Sequence, residues 1–491
     1  VTDATKNVAE VIAAARRAQA DWAALAPRVR VKPIGGLRHE LAADPSGWAS
    51  LIQTPQDRTT AESLASEVLP LADACRWLER HAARTLRPRV AWRFFQSLAL
   101  RVERKPAGVV LVIGASNYPL FLLAVPAIQA LAAGNAVLLK PPPGGEAIAQ
   151  RLANVLVGGG DSRLCVALDS STESAQAAIA AGVDHITATG SSATGRAVAR
   201  AAAETLTPCT LECSGSDAVI VLPGANLRRV VDCVAWGLTF NAGATCIGPR
   251  RLIAVGDADE VRQRLADRLA NAPPRRVPKQ AAEALRRVLG DELAAGAMAS
   301  CPHGFDRVAL DAACDAALIP PILLTSALAS PLVAQSDLFA PVLSLDVAKD
   351  AEQAIELANA SSYALGASVF GPAGEAEEVA RRLRAGCVTV NDLIAPTADP
   401  RVPFGGAGES GYGVTRGAEG LLAMTRPQAV VRRRGGWLPH LDEPTPALDD
   451  LVTGLIQSQH AASWSGRFAG LKKIISAATR RRTESSPTRE P

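Results

Sequence analysis

Apolar positions recur at helical spacing over residues 4–25 and again over 60–83, so the chain opens with helices. Residues 33–45, between Pro33 and Pro45, read as irregular, and SLALRV at 97–102 reads as a strand. From residue 107 the pattern changes. Strand-like runs at 109–113 (VVLVI), 136–140 (AVLLK), 164–167, 185–189 (HITAT) and 209–212 alternate with helical runs near 119–132, 145–156, 172–181 and 193–205. This alternation predicts a parallel, doubly wound nucleotide-binding sheet. A second α/β segment follows, with strands at 217–222, 251–255, 342–347, 366–370 and 387–390, and helices over 226–239, 258–271, 279–295, 350–360 and 374–385. Residues 273–278 read as a linker, 403–413 (PFGGAGESGYG) as a Gly-rich loop, and 429–434 as a strand.

The last segment differs. After Gly436 it is Pro-rich (Pro439, Pro444, Pro446), and from Asp449 it reads as helix. Trp464, Phe468, Leu471 and Ile475 form one apolar stripe flanked by Arg467, Lys472 and Lys473. A basic amphipathic helix of this kind suits a membrane surface, and it suits equally a packing site on the body or on a partner subunit. Residues 477–491 are expected to be disordered.

With 491 residues, 48% of them hydrophobic, the chain divides into several domains with buried cores. The net charge is +4, but residues 465–491 alone carry seven basic and two acidic side chains, so the body is near neutral. Nucleic-acid binding is therefore not indicated outside the tail. Nine cysteines without paired spacing suggest a reduced, cytoplasmic setting, and six scattered histidines argue against a bound metal. Residues 1–26 are Ala-rich and charged, without the apolar core of a secretion signal.

Two stretches carry candidate chemistry. FNAGATCIGPR at 240–250 sets Cys246 among small residues, which leaves its sulfur reachable and lets a backbone N–H share the same space. Free cysteines are usually inert core residues, so this stretch alone leaves both readings open. Gly190-Ser191-Ser192-Ala193-Thr194-Gly195 joins a strand to a helix, where a pyrophosphate could meet free N–H groups; an ordinary glycine turn is the alternative.

Read together, ASNYP at 115–119, LLKPP at 138–142, GSSATG at 190–195, FNAGATC at 240–246 and PFGGAGESGYG at 403–413 stand in one family's order. Over residues 5–435 the chain resembles the aldehyde dehydrogenase superfamily, and most of all the class 3 branch, which handles medium and long-chain or aromatic aldehydes. The resemblance implies an α/β fold with three parts: a Rossmann-type cofactor domain (1–96 with 107–212), an α/β catalytic domain (213–397), and a small β oligomerisation element with the closing motif (97–106 with 398–436). Residues 437–491 follow as the helix and tail. It implies Cys246 as nucleophile, Asn117 as oxyanion donor and Glu212 as general base. Lys140, Gly190, Ser191 and Gly195 would bind NAD or NADP, with Asp337 and Phe339 of DLFAP at the nicotinamide ribose, and the protein would be a homodimer.

Three positions depart from the family's pattern. Pro143 replaces the class 3 glutamate that binds the ribose hydroxyls, which leaves NADP as acceptable as NAD. Asp337 replaces a glutamate, and Cys213-Ser214-Gly215 replaces L-G-G after Glu212. The reading that results is NAD(P)-dependent oxidation of an aldehyde to a carboxylic acid through a cysteine thiohemiacetal and thioester. The alternatives are a CoA-acylating aldehyde dehydrogenase, which a hydrolytic Glu212 disfavours, and a non-catalytic scaffold derived from the family.

Overall fold

Strand Val109–Ile113 is buried along its whole length, and its residues alternate between two cores. Val110 and Val112 pack with helices Phe121–Ala133 and Glu146–Val157; Val109, Leu111 and Ile113 face helices Asp3–Ala24, Thr172–Ala180 and Ser192–Ala203. A strand covered on both faces has no polar side, which is why VVLVI is apolar throughout. The computed structural model describes residues 3–54, 56–93, 98–325, 335–433, 438, 441 and 445–484. Pro439, Pro444, Ser97 and residues 485–491 of the tail, all named above, lie outside them.

Among the described residues the chain forms two large sheets. The first runs Gly411–Tyr412, Cys209–Cys213, His185–Gly190, Val109–Ile113, Ala136–Lys140, Cys165–Ala167, and is parallel except at Gly411–Tyr412. Its strand order reverses at Val109–Ile113, so the crevice that binds ligands in such sheets opens beyond Ile113 and Gly190. The second runs Met298–Cys301, Ile322–Thr325, Val342–Ala348, Pro249–Val255, Asp217–Val221, Gly366–Phe370, Cys387–Val390, with an antiparallel pair at its first edge. This is the expected α/β architecture.

Several expectations need correction. Residues 33–45 are not irregular but form helix Lys32–Ala43 and the start of Pro45–Ser50, because Pro33 and Pro45 each stand in a first turn, where a missing N–H is harmless. The 273–278 linker contains strand Arg275–Arg276, paired with Leu318–Ile319. Helix Arg307–Ala316 and strands Met298–Cys301 and Ile322–Thr325 had no strong periodic signal.

By its contacts the chain divides into two units, Val1–Arg89 with Val102–Gln428, and Val90–Arg101 with Ala429–Pro491. Within the second, helices Pro446–His460 and Trp464–Glu484 form a hairpin. Gly454 and Gly470 bring the two backbones together, since a Cβ on Gly470 would lie 2.7 Å from the Gly454 carbonyl oxygen. The tail is therefore helical as far as Glu484 rather than disordered from residue 477: Ala477 is fully buried and Arg480 pairs with Asp450 at 2.6 Å.

Candidate active site

Helix Leu227–Thr239 ends in a turn, Phe240–Gly243, that no ordinary helix C-terminus would adopt. Asn241, Ala242 and Gly243 have φ values of 50°, 53° and 75°, all left-handed. For the two residues with a Cβ this costs about 1–3 kcal/mol each, a cost met only where the surroundings over-determine the backbone. They do. Asn241 Nδ2 donates to the Asn117 carbonyl at 3.2 Å and to the Ala244 carbonyl at 3.1 Å, and the buried Arg250 donates to the carbonyls of Gly243 and Thr245. At Gly243 a Cβ would sit 2.5 Å from the backbone of Ala340.

This turn presents Cys246 half-buried in a cavity of about 510 Å³. Phe121, Leu122, Trp236, Phe240, Ile394 and Phe404 give the cavity an apolar lining. Its charged members are Glu62 and Arg275, paired at 3.3 Å, and Arg416. Asn117 is buried beside the cysteine turn, and one N–H of its amide donates to Ala244 O at 3.1 Å. An amide nitrogen carries two N–H bonds, so a second remains. The neighbouring Tyr118 hydroxyl shares a 2.6 Å hydrogen bond with Thr245.

Glu212 stands on the strand of the first sheet that leads to this region and is 3% exposed. Its Oε2 accepts from Thr415 at 3.1 Å, while Oε1 has no partner among the described residues. Burial raises its carboxyl above the ordinary range, against the pull of Arg416 and Thr415. Burial also raises the Cys246 thiol, and Glu212 raises it further, while Arg416 and the Ile247 N–H act the other way.

The remaining expected residues lie at the strand ends. Lys140 closes strand Ala136–Lys140 and makes no side-chain hydrogen bond among the described residues; burial lowers its pKa. Gly190 closes His185–Gly190, and Ser191 caps the twelve-residue helix Ser192–Ala203 by accepting from Thr194 N–H. At Gly195 a Cβ would lie 2.5 Å from the Cys213 sulfur, so only glycine lets the helix sit this close to the strand. Burial raises the Asp337 carboxyl while the Ser214 side chain and Arg250 act the other way, and its Oδ1 is a buried acceptor without a partner among the described residues. Phe339 is half-buried two residues on.

These residues suit a nicotinamide dinucleotide: the helix N-terminus and Lys140 at the strand ends offer positive charge, and Asp337 Oδ1 is a buried acceptor open to a donor among the described residues. Pro143 is exposed, and its side chain offers no acceptor. Sequence reasoning missed Tyr118, Thr415 and Arg416. Each acts through a partner far away in the chain, and spacing carries no signal for such pairs.

A doubly wound sheet of the dinucleotide-binding kind, together with a cavity lined by a half-buried cysteine, fits an oxidoreductase. The chain belongs to the aldehyde dehydrogenase family, whose sequence profile matches residues 2–430, and it is an NAD(P)-dependent aldehyde dehydrogenase. It is similar to the 4,4'-diapolycopene aldehyde oxidase of Methylomonas sp, 29% identical over 87% of this chain and 82% of that protein. It is also similar to the putative NADP(+) succinate-semialdehyde dehydrogenase 2 of Mycobacterium ulcerans (strain Agy99), 31% identical over 87% of this chain and 85% of that one. Among solved structures, a Mycobacterium tuberculosis aldehyde dehydrogenase complexed with NAD+ superposes with a TM-score of 0.80 at 27% identity, covering 88% of this chain and 92% of the other.

Proposed function

We propose that the enzyme oxidises an apolar aldehyde to its carboxylic acid, with Cys246 as nucleophile, Glu212 as general base, and the oxyanion held by the second N–H of Asn117 and the backbone N–H of Cys246. The observation that carries this is the unpartnered Glu212 Oε1, a buried acceptor on a carboxyl whose charge raises the thiol of the cysteine that lines the cavity. Addition of the Cys246 thiolate to the carbonyl carbon gives a tetrahedral thiohemiacetal whose charge the two N–H donors offset. A bound nicotinamide dinucleotide supplies the hydride acceptor for its oxidation. Glu212 then takes a proton from water, which attacks the Cys246 thioester and releases the acid. A carboxyl raised by burial is a better base near neutral pH than an ordinary one.

The apolar lining favours medium or long-chain or aromatic aldehydes, the range of the class 3 branch, and one relative is named for a diapolycopene aldehyde. Lys140, Gly190, Ser191 and Gly195 would hold the adenosine and phosphates, and Asp337 and Phe339 the nicotinamide ribose, with NAD and NADP both accepted. Residues 1–96 with 107–212 would serve as cofactor domain, 213–397 as catalytic domain, and 97–106 with 398–436 as oligomerisation strands and closing motif. In Glu212→Gln, turnover should fall about 10²–10⁴-fold, and intact mass should show one acyl group on Cys246 after incubation with a straight-chain aldehyde and NAD. Loss of turnover without any adduct would remove Glu212 from the hydrolytic step.

Strand Thr425–Arg433 is exposed and lies at the edge of the three-stranded sheet it forms with Arg89–Arg93 and Leu98–Pro106, which supports pairing with a second copy in a homodimer. All nine thiols are free, which supports a reduced cytoplasmic compartment. No helix among the described residues is long and apolar enough to cross a membrane. Trp464, Phe468, Leu471 and Ile475 are 75%, 62%, 48% and 60% exposed beside Arg467, Lys472 and Lys473, which supports peripheral contact with an anionic lipid surface. The full chain should sediment with phosphatidylserine-containing vesicles and Trp464→Ser/Phe468→Ser should not; equal sedimentation of both would end the membrane reading.

A further inference from the structure

The cavity wall carries a guanidinium that the roles above leave unused. Arg416 is 8% exposed and directly follows Thr415, the residue that donates to Glu212. Its backbone is left-handed, with φ of 62°, and its N–H donates to Gln129 Oε1 at 3.3 Å. Its guanidinium lies 4.2 Å from the centre of the Phe404 ring and 5.0 Å from that of Phe121, and Nη1 donates to the Thr397 carbonyl at 2.8 Å. Two aromatic faces and one carbonyl thus fix this cation, and among the described residues no carboxylate pairs with it. A guanidinium has five N–H bonds and this one places a single bond on protein oxygen among the described residues.

Burying a cation without an anion costs several kcal/mol, so its charge has to be offset from nearby. Tyr118 and Arg416 line the same cavity as Cys246, and Glu212, Asp217 and Arg250 are further groups whose charge bears on its thiol. Arg250 is engaged with the carbonyls of Gly243, Thr245 and Pro249, and burial raises the Asp217 carboxyl against the opposing charges of Arg250 and Arg251. Arg416 is the cavity-lining cation that acts on both Cys246 and Glu212.

We propose that Arg416 is a positioning residue for the reaction: the shared counter-cation that lets the Cys246 thiolate and the Glu212 carboxylate coexist in an apolar cavity. Two adjacent anions in a low dielectric repel strongly, and without a cation one of them takes up a proton. Arg416 offsets both without forming a close ion pair that would hold either anion away from substrate. The proposal rests on Cys246 as the nucleophile, and it also explains why an arginine tolerates a strained φ at this point.

The test reads the thiolate itself, in cofactor-free protein and without turnover. Iodoacetamide alkylation of Cys246, followed by peptide mass spectrometry, gives a rate-against-pH midpoint for wild type, Arg416→Gln and Arg416→Lys. Loss of the cation disfavours the anion, so the Arg416→Gln midpoint should rise by about one pH unit or more, with alkylation at pH 7 slowed about tenfold. The Arg416→Lys midpoint should stay within about half a unit of wild type. Coincident midpoints for wild type and Arg416→Gln, or equal displacement in both variants, would overturn the proposal. If Arg416→Gln melts below the assay temperature, Arg416→Lys decides: a rise of more than about one unit overturns it. A wrong nucleophile would show separately, as activity that survives alkylation of Cys246.

Discussion

Cys246→Ala is expected to lower turnover of every aldehyde by at least about 10⁴-fold, with cofactor binding and thermal unfolding unchanged. The loss should be this large because the adduct, the oxidation and the thioester all depend on one sulfur. The fold should not respond, because alanine is smaller and Cys246 is half-buried at a cavity rather than packed inside a core. The left-handed turn that presents the residue is held by hydrogen bonds of Asn241 and Arg250 to backbone carbonyls and by the close approach of Gly243 to Ala340, none of which uses the sulfur. Steady-state kinetics beside calorimetric titration with NAD provides the check. Residual turnover within tenfold of wild type would mean that another group carries the chemistry.

The largest effect on stability is expected at Glu67. Glu67 and Arg58 form an ion pair whose side chains are 0% and 1% exposed. Glu67 Oε2 also accepts the N–H groups of Leu120 and Phe121, at 2.7 and 3.0 Å, so the carboxylate ties down the loop that carries Asn117 and Tyr118. Arg58 stacks over the Tyr118 ring, 5.1 Å from its centre. Burial pushes the Glu67 carboxyl up, while Arg58 and the two N–H groups hold it charged. Glu67→Ala leaves a buried cation and two buried N–H groups without partners and should cost about 3–5 kcal/mol, read from denaturant midpoints. Arg58→Ala/Glu67→Ala should cost less than the sum of the two single changes, since the pair is then removed together. A Glu67→Ala cost below about 1 kcal/mol would show that the pair stabilises nothing.

Glu67 sits on Leu64–Val68, a π-helical turn within what the sequence presents as one continuous helix over 60–83. Periodicity marks the helix but not the extra residue in its turn, and that residue aims the carboxylate inward. The same division holds elsewhere. The first sheet was legible because strands covered on both faces must be apolar throughout, as Val109–Ile113 and Ala136–Lys140 are. Cys246 was legible as a reachable thiol because small residues surround it. Arg416 was not, because its partners Phe121, Gln129 and Thr397 come from other parts of the chain and arginine usually marks a surface.

Strand Gly411–Tyr412 closes the first sheet by pairing with Cys209–Cys213, and the Thr415 hydroxyl that reaches Glu212 comes from 203 residues further along the chain. On the ribosome, this separation becomes time. At about 5–20 residues per second, a nascent chain waits roughly 10–40 s between making the strand that bears Glu212 and making the segment that covers it. During that interval one flank of the sheet offers unpaired N–H and C=O groups to any passing strand. The same late segment that completes the site also ends this exposure, so acquiring activity and losing the tendency to aggregate are one event in the life of the molecule.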